Sequence, residues 1–100
     1  MLDLKILIAD DLALIRSLIR KSLADLKHFE NVFAVDTASV GIQFEAERVF
    51  NEQMGENSLP GKVAVRYLFT ENDSDGNQVK VYEAYKDSAS DDYIYLTAAL

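Results

Sequence analysis

Two adjacent carboxylates near the start of the chain, Asp10 and Asp11, are the side chains whose type and spacing most favour chemistry. They directly follow the apolar run Ile6-Leu7-Ile8-Ala9, which is typical of a strand buried on both faces. Open α/β sheets bind ligands outside the carboxyl ends of such strands. Because neighbouring carboxylates repel each other unless a cation or solvent compensates them, the pair predicts a Mg²⁺ site. The alternative is that Asp11 caps a helix beside a solvated neighbour.

The helix that must position this pair is predicted over residues 12–27. Its leucine and isoleucine side chains recur at helical spacing, and Arg16 and Arg20 are assigned to the opposite, basic face. We expect Arg16 and Arg20, one turn apart, to contact an acidic protein partner. The alternative is a solvated face that only aids solubility.

The rest of the chain supplies the elements of a sheet. We predict strands over residues 4–9, 32–36, 63–69 and 93–97, and a second helix over 39–54. This order predicts an α/β fold, a receiver-like (flavodoxin-like) αβα sandwich with a mainly parallel sheet whose first three strands are mutually parallel. Residues 79–86 are open: their alternation favours an antiparallel hairpin with 63–69, whereas a parallel sheet requires a crossover helix. The alternative fold is α+β with a C-terminal antiparallel meander.

Composition limits the classes of function. With 100 residues, 49% of them hydrophobic, the chain is expected to form one domain over residues 1–100. It has no cysteine, which excludes disulfide and thiolate chemistry. Residues 31–100 carry five bases and twelve acids, which accounts for the whole net charge of −7. Such a chain is repelled by nucleic acid and by anionic membranes, so neither is an expected partner. No signal peptide or apolar membrane span is visible, and a cytoplasmic location is expected.

The opening segment resembles the first strand and helix of bacterial response-regulator receiver domains. Shorter matches follow at 35–41, at Asp75-Gly76 and at 95–98. The resemblance implies that Asp10 and Asp11 hold Mg²⁺ and that Thr97 is the switch hydroxyl. The family phosphorylates an aspartate at the end of its third strand, but the corresponding residues 66–71 of this chain contain no aspartate. The resemblance therefore makes Asp73 the candidate phosphoacceptor, displaced from the strand end, with Glu71 as a permanent negative charge the alternative. The resemblance therefore implies a degenerate or truncated receiver.

The predicted function is a receiver-like signalling module, degenerate in phosphoryl acceptance, that acts by contact with a kinase, a phosphotransfer protein or an output protein. The alternative is a small acidic interaction or inhibitor protein that masks a basic surface of its target. The sequence contains no nucleophile–base signature, so we do not expect an enzyme. A homodimer through an open sheet edge is a further expectation.

Overall fold

The described residues form a mixed four-stranded sheet with helical segments on both faces. The computed structural model describes residues 12, 15, 16, 22–26, 31–55 and 61–100. The elements, in chain order, are α1 (Leu23–Leu26), β1 (Val32–Val35), α2 (Gly41–Met54), β2 (Ala64–Asn72), β3 (Gln78–Tyr85) and β4 (Tyr93–Ala99). Leu12, Ile15 and Arg16 are also helical.

The strand order is β1-β4-β3-β2. β1 pairs with β4 in parallel, whereas β2 with β3 and β3 with β4 are antiparallel. Three strands, β1, β2 and β4, therefore run in one direction and β3 runs in the other. The ends of these three strands meet at one side of the molecule, which we call the carboxyl end of the sheet.

Helix α2 covers one face of the sheet. Its buried residues Ala46, Val49 and Phe50 have the spacing of one helical stripe and join a core cluster with Ile94 and Leu96 of β4. The helix ends at Gly55, whose positive φ of 57° favours glycine. No helix in the described part of the chain is long and apolar enough to cross a membrane.

The opposite face packs against α1. Leu23 and Leu26 are buried in a cluster with Val79, Val81 and Tyr95. The first turn of α1 is also tied to the sheet through a hydrogen bond, because the backbone N–H of Leu23 donates to Oε2 of Glu71 at 2.7 Å. A β2 carboxylate thus satisfies one of the N–H groups that a helix leaves unpaired at its start.

The predicted mainly parallel sandwich is wrong, and the alternative α+β fold with an antiparallel meander is confirmed. Residues 78–85 form a strand because their alternating side chains bury Val79 and Val81 on one face and Ala84 on the other. β1 and β2 share a direction, as predicted, but they lie at opposite edges of the described sheet rather than side by side. The predicted strand at 4–9 lies outside the described residues.

The other predicted elements are confirmed to within a few residues. Strands predicted over 32–36, 63–69 and 93–97 are found as β1, β2 and β4, and the helix predicted over 39–54 is found as α2. The helix predicted over 12–27 is described only in part.

Candidate functional site

The carboxyl end of the sheet brings together two aspartates that each follow a strand directly. Asp36 comes after β1, and Asp73 comes after β2. β4 lies beside β1 in the register Val35↔Ala98, and the start of β3 lies beside the end of β4 in the register Val79↔Ala99. The two carboxylates therefore flank the end of the β1–β4 pair from opposite sides. This is where ligands bind in open α/β sheets, although the present sheet is mixed.

A groove with a largely apolar lining runs between these aspartates. One lobe, a cavity of about 510 Å³, lies over the sheet face that α1 packs against. A second lobe of about 390 Å³ lies beyond the strand ends, and the two lobes share Val35 and Ala99. Such volumes are within the range of ligand-binding clefts.

The polar groups among the described lining residues of the groove are few and anionic or neutral. Asp73 and Thr97 lie in the first lobe, and Asp36 and Thr37 lie in the second. Among the described residues that line either lobe, none is cationic. We call this feature the acidic groove; its described lining is Leu23, Val32, Ala34, Val35, Asp36, Thr37, Ala38, Asp73, Val79, Thr97, Ala99 and Leu100.

Both carboxylates of the acidic groove are fixed by hydrogen bonds from the backbone. Oδ1 of Asp73 accepts from the N–H groups of Asp75 and Asn77, each at 2.9 Å. Oδ1 of Asp36 accepts from the N–H of Ala38 at 3.0 Å. Because a carboxylate offers about four lone-pair sites, these contacts orient both groups and still leave acceptor capacity for a ligand.

The structure thereby brings together two residues that the sequence assigned to phosphoryl chemistry, Asp73 and Thr97. They come from different elements, the β2–β3 turn and β4, and they line the same lobe. Their roles as phosphoacceptor and switch stay predictions.

A second unusual cluster is a buried ion pair on the α1 face of the sheet. Nε of Arg16 donates to Oε2 of Glu83 at 3.1 Å, and Nη1 of Arg16 donates to the carbonyl oxygen of Ser90 at 3.1 Å. The guanidinium also lies 4.0 Å from the ring centroid of Tyr93. The Glu83 side chain is fully buried, and that of Arg16 is 9% exposed. This cluster joins the N-terminal helical residues to β3 and to the β3–β4 turn.

The buried pair is incompletely satisfied. Nη2 of Arg16 and Oε1 of Glu83 find no hydrogen-bond partner among the described residues. Burial raises the pKa of Glu83 above its usual range, and Arg16, Tyr95 and Arg66 oppose this rise. The desolvation of Glu83 therefore outweighs the attraction of the neighbouring cation.

The position of Arg16 differs from its sequence-based assignment to an exposed, partner-binding face. Its guanidinium is buried and points into the protein, toward Glu83. The physical reason is its set of partners: the Glu83 carboxylate, the Ser90 carbonyl oxygen and the Tyr93 ring replace the water that the buried guanidinium loses. The other predicted partner residue, Arg20, lies outside the described residues.

The predicted Mg²⁺ ligands, Asp10 and Asp11, also lie outside the described residues. Within the described ranges there is no group of three or more His, Cys, Asp or Glu side chains that could hold a metal ion. The Mg²⁺ site therefore stays a prediction.

Two residues of these sites were not identified from the sequence. Glu83 was missed, although it continues the inward-facing series Val79 and Val81 at spacing two, and a carboxylate in such a series signals a buried charge. Asp36 was seen only as the end of a strand. Its role emerges from the parallel pairing of β1 with β4, which places it at the same sheet end as Asp73.

Comparison of this chain with protein-family models, with curated proteins and with solved structures finds no match.

Proposed function

We propose that this protein is a small acidic interaction module that binds a basic surface of a partner protein. The observation that carries the proposal is the combination of charge and fixed geometry on the turns. Asp36 and Asp73 each accept a hydrogen bond from a backbone N–H two to four residues later, so their carboxylates are held in place. Fixed charges bind an oppositely charged surface with a smaller loss of side-chain entropy than mobile ones.

Two acidic residues of α2 differ from the turn aspartates, because they form ion pairs with an arginine of the same helix. Glu45 and Glu52 are paired with Arg48, at 2.6 Å and 3.1 Å. Asp36 and Asp73 form no ion pair within the described part of the chain. Within the described part of the chain, the negative charge of these turn aspartates is not compensated by an ion pair, whereas that of α2 is partly compensated.

The test is calorimetric titration with two synthetic peptides, one of alternating lysine and leucine and one of alternating glutamate and leucine. We expect the lysine peptide to bind and its affinity to fall steeply as salt is raised, because screening weakens attraction between exposed charges. Equal binding of both peptides, or affinity indifferent to salt, would contradict the proposal.

A receiver-like signalling module is the second candidate function. It is favoured by one observation, the shared position of Asp73 and Thr97 in one lobe of the acidic groove. Such a module would have the α+β fold described above instead of the receiver sandwich. Its proposed cofactor would be Mg²⁺, held by Asp10 and Asp11.

Exposure of the protein to a small-molecule phosphodonor with Mg²⁺, read by intact mass, tests this second candidate. Gain of one phosphoryl group that maps to Asp73 supports it, and an unchanged mass counts against it. An Asp73→Asn variant is the control, since asparagine keeps the turn acceptor but removes the carboxylate.

A further inference from the structure

We propose that the acidic groove is the docking site for one long cationic side chain, a lysine or arginine, from an extended segment of the basic partner. This inference rests on the proposed function and names the part of the surface that performs it. Lysine and arginine combine an apolar stem with a charged head, and they bury the stem along apolar surface. The acidic groove offers apolar surface for the stem and carboxylates for the charged head.

The apolar part of the groove matches the stem. Val32 and Val79 line the lobe of about 510 Å³ together with Ala34 and Ala99. Ala34 and Ala99 are exposed, so the sheet face is open above β1 and β4 at this end within the described part of the molecule. A flexible hydrocarbon chain can lie along these small side chains.

The charged part of the groove matches the head. Asp73 lies in one lobe and Asp36 in the other, and each keeps acceptor capacity beyond its turn hydrogen bonds. A cation that follows the groove reaches a carboxylate in either direction. Thr97, whose hydroxyl is a donor and an acceptor, lines the same lobe as Asp73.

Charge also argues against a second copy of this chain as the occupant. A copy carries the same net charge of −7, so two copies repel each other as they approach. Like charges across an interface oppose association. Charge complementarity therefore selects a basic partner.

The test compares two peptides of equal charge and different stem length. One alternates lysine with leucine, and the other replaces each lysine by 2,4-diaminobutyrate, which has two methylenes in place of four. Titration at mildly acidic pH keeps both amines charged. If a side chain enters the groove, the short stem weakens binding by about tenfold, because the head no longer reaches the carboxylates while the stem is buried. Equal affinity of the two peptides would overturn the proposal.

Matched variants locate the site. Asp36→Asn and Asp73→Asn remove charge but keep a side-chain oxygen that can accept the turn hydrogen bonds. Asp87→Asn makes the same change in the β3–β4 turn, at the opposite end of the sheet, where Oδ1 of Asp87 accepts from the N–H of Ala89. We expect the two groove variants to weaken binding of the lysine peptide and Asp87→Asn to change it little.

The outcomes separate the two proposals. If only Asp87→Asn weakens binding, the groove is not the site, although an acidic interaction module remains. If no basic peptide binds the wild-type protein, both proposals fail. Self-association of the free protein that is lost in Asp36→Asn and Asp73→Asn would show that a second copy occupies the groove and would overturn the inference.

Discussion

Nε of Arg16 lies 3.1 Å from Oε2 of Glu83, and this contact joins two segments that are 67 residues apart in the chain. Arg16 belongs to the N-terminal helical residues and Glu83 to β3, next to the strand that ends at the acidic groove. The pair is buried, whereas the carboxylates proposed to bind a partner lie on turns. The protein thus uses one acid inside the fold and other acids at its surface.

The first prediction concerns the energetic role of this pair. Arg16→Met leaves the Glu83 carboxylate buried without its cation, and we expect a loss of about 3 kcal/mol in the free energy of unfolding. Chemical denaturation measures it. The double variant Arg16→Met with Glu83→Leu should recover much of the loss, because apolar side chains often replace a buried ion pair without penalty. A double variant as unstable as the single one would contradict this account.

The control for that experiment is Arg48→Met. Arg48 also contacts two carboxylates, but it lies on the exposed side of α2. Since exposed ion pairs contribute little to stability, we expect almost no change in the free energy of unfolding.

The second prediction concerns pH. Because burial raises the pKa of Glu83 in the folded protein, the folded state holds this proton more tightly than the unfolded state. The stability contributed by Glu83 is therefore fully present below its unfolded-state pKa and is lost as pH rises through its raised folded-state pKa. The charged and titratable groups around Glu83 in the described residues are Arg16, Arg66, Tyr93 and Tyr95.

Comparison with Glu83→Gln isolates this effect. The free energy of unfolding of the wild type, minus that of Glu83→Gln, should fall as pH is raised from acidic to neutral. A difference that stays constant or rises with pH would show that the pKa of Glu83 is not raised.

The third prediction concerns the space inside the groove. Ala34 is exposed on β1 and lines the larger lobe. Ala34→Phe should fill that lobe and weaken binding of the lysine peptide by about tenfold without loss of charge. Ala64→Phe is the matched control, since Ala64 is exposed on β2 and does not belong to the described lining. Equal effects of the two substitutions in calorimetric titration would argue against the groove.

The fourth prediction concerns the turn that carries Asp73. Gly76 has a φ of 84°, and its N–H donates to the carbonyl oxygen of Asp73 at 3.1 Å. Apart from its chain neighbours, no atom of the described residues would lie within 4 Å of a Cβ atom added at Gly76. Alanine would therefore not collide with other residues, but its backbone would be strained at this positive φ. We expect Gly76→Ala to cost about 1 kcal/mol of unfolding free energy. No loss on thermal or chemical denaturation would contradict this interpretation of the turn.

The local elements of the fold could be predicted from the sequence because their patterns are strong. The spacing of Ala46, Val49 and Phe50 predicts the buried stripe of α2, and alternation around Val79 and Val81 is typical of a strand. Pairing could not be predicted in the same way. That β1 lies beside β4 depends on contacts between residues about 60 positions apart, which no local pattern encodes.

The candidate site was likewise predicted only in part, because the sequence indicated single residues but not their proximity. Asp73 and Thr97 were identified individually, but only the antiparallel register of β3 with β4 brings them to one lobe. The helical pattern assigned Arg16 to a partner-binding face opposite the apolar stripe, whereas the structure buries it against Glu83. Its partners, Glu83 and the carbonyl oxygen of Ser90, lie 67 and 74 residues further along the chain, so no local pattern could predict this burial.

The central claim is that the acidic groove receives a cationic side chain. The most direct measurement is the set of intermolecular nuclear Overhauser contacts in the complex with the lysine–leucine peptide. We predict contacts between the lysine side-chain methylenes and the methyl groups of Val32, Thr97 and Ala99. Contacts confined to the β3–β4 turn around Asp87, or the absence of any contact from the lysine methylenes to the groove, would contradict the account.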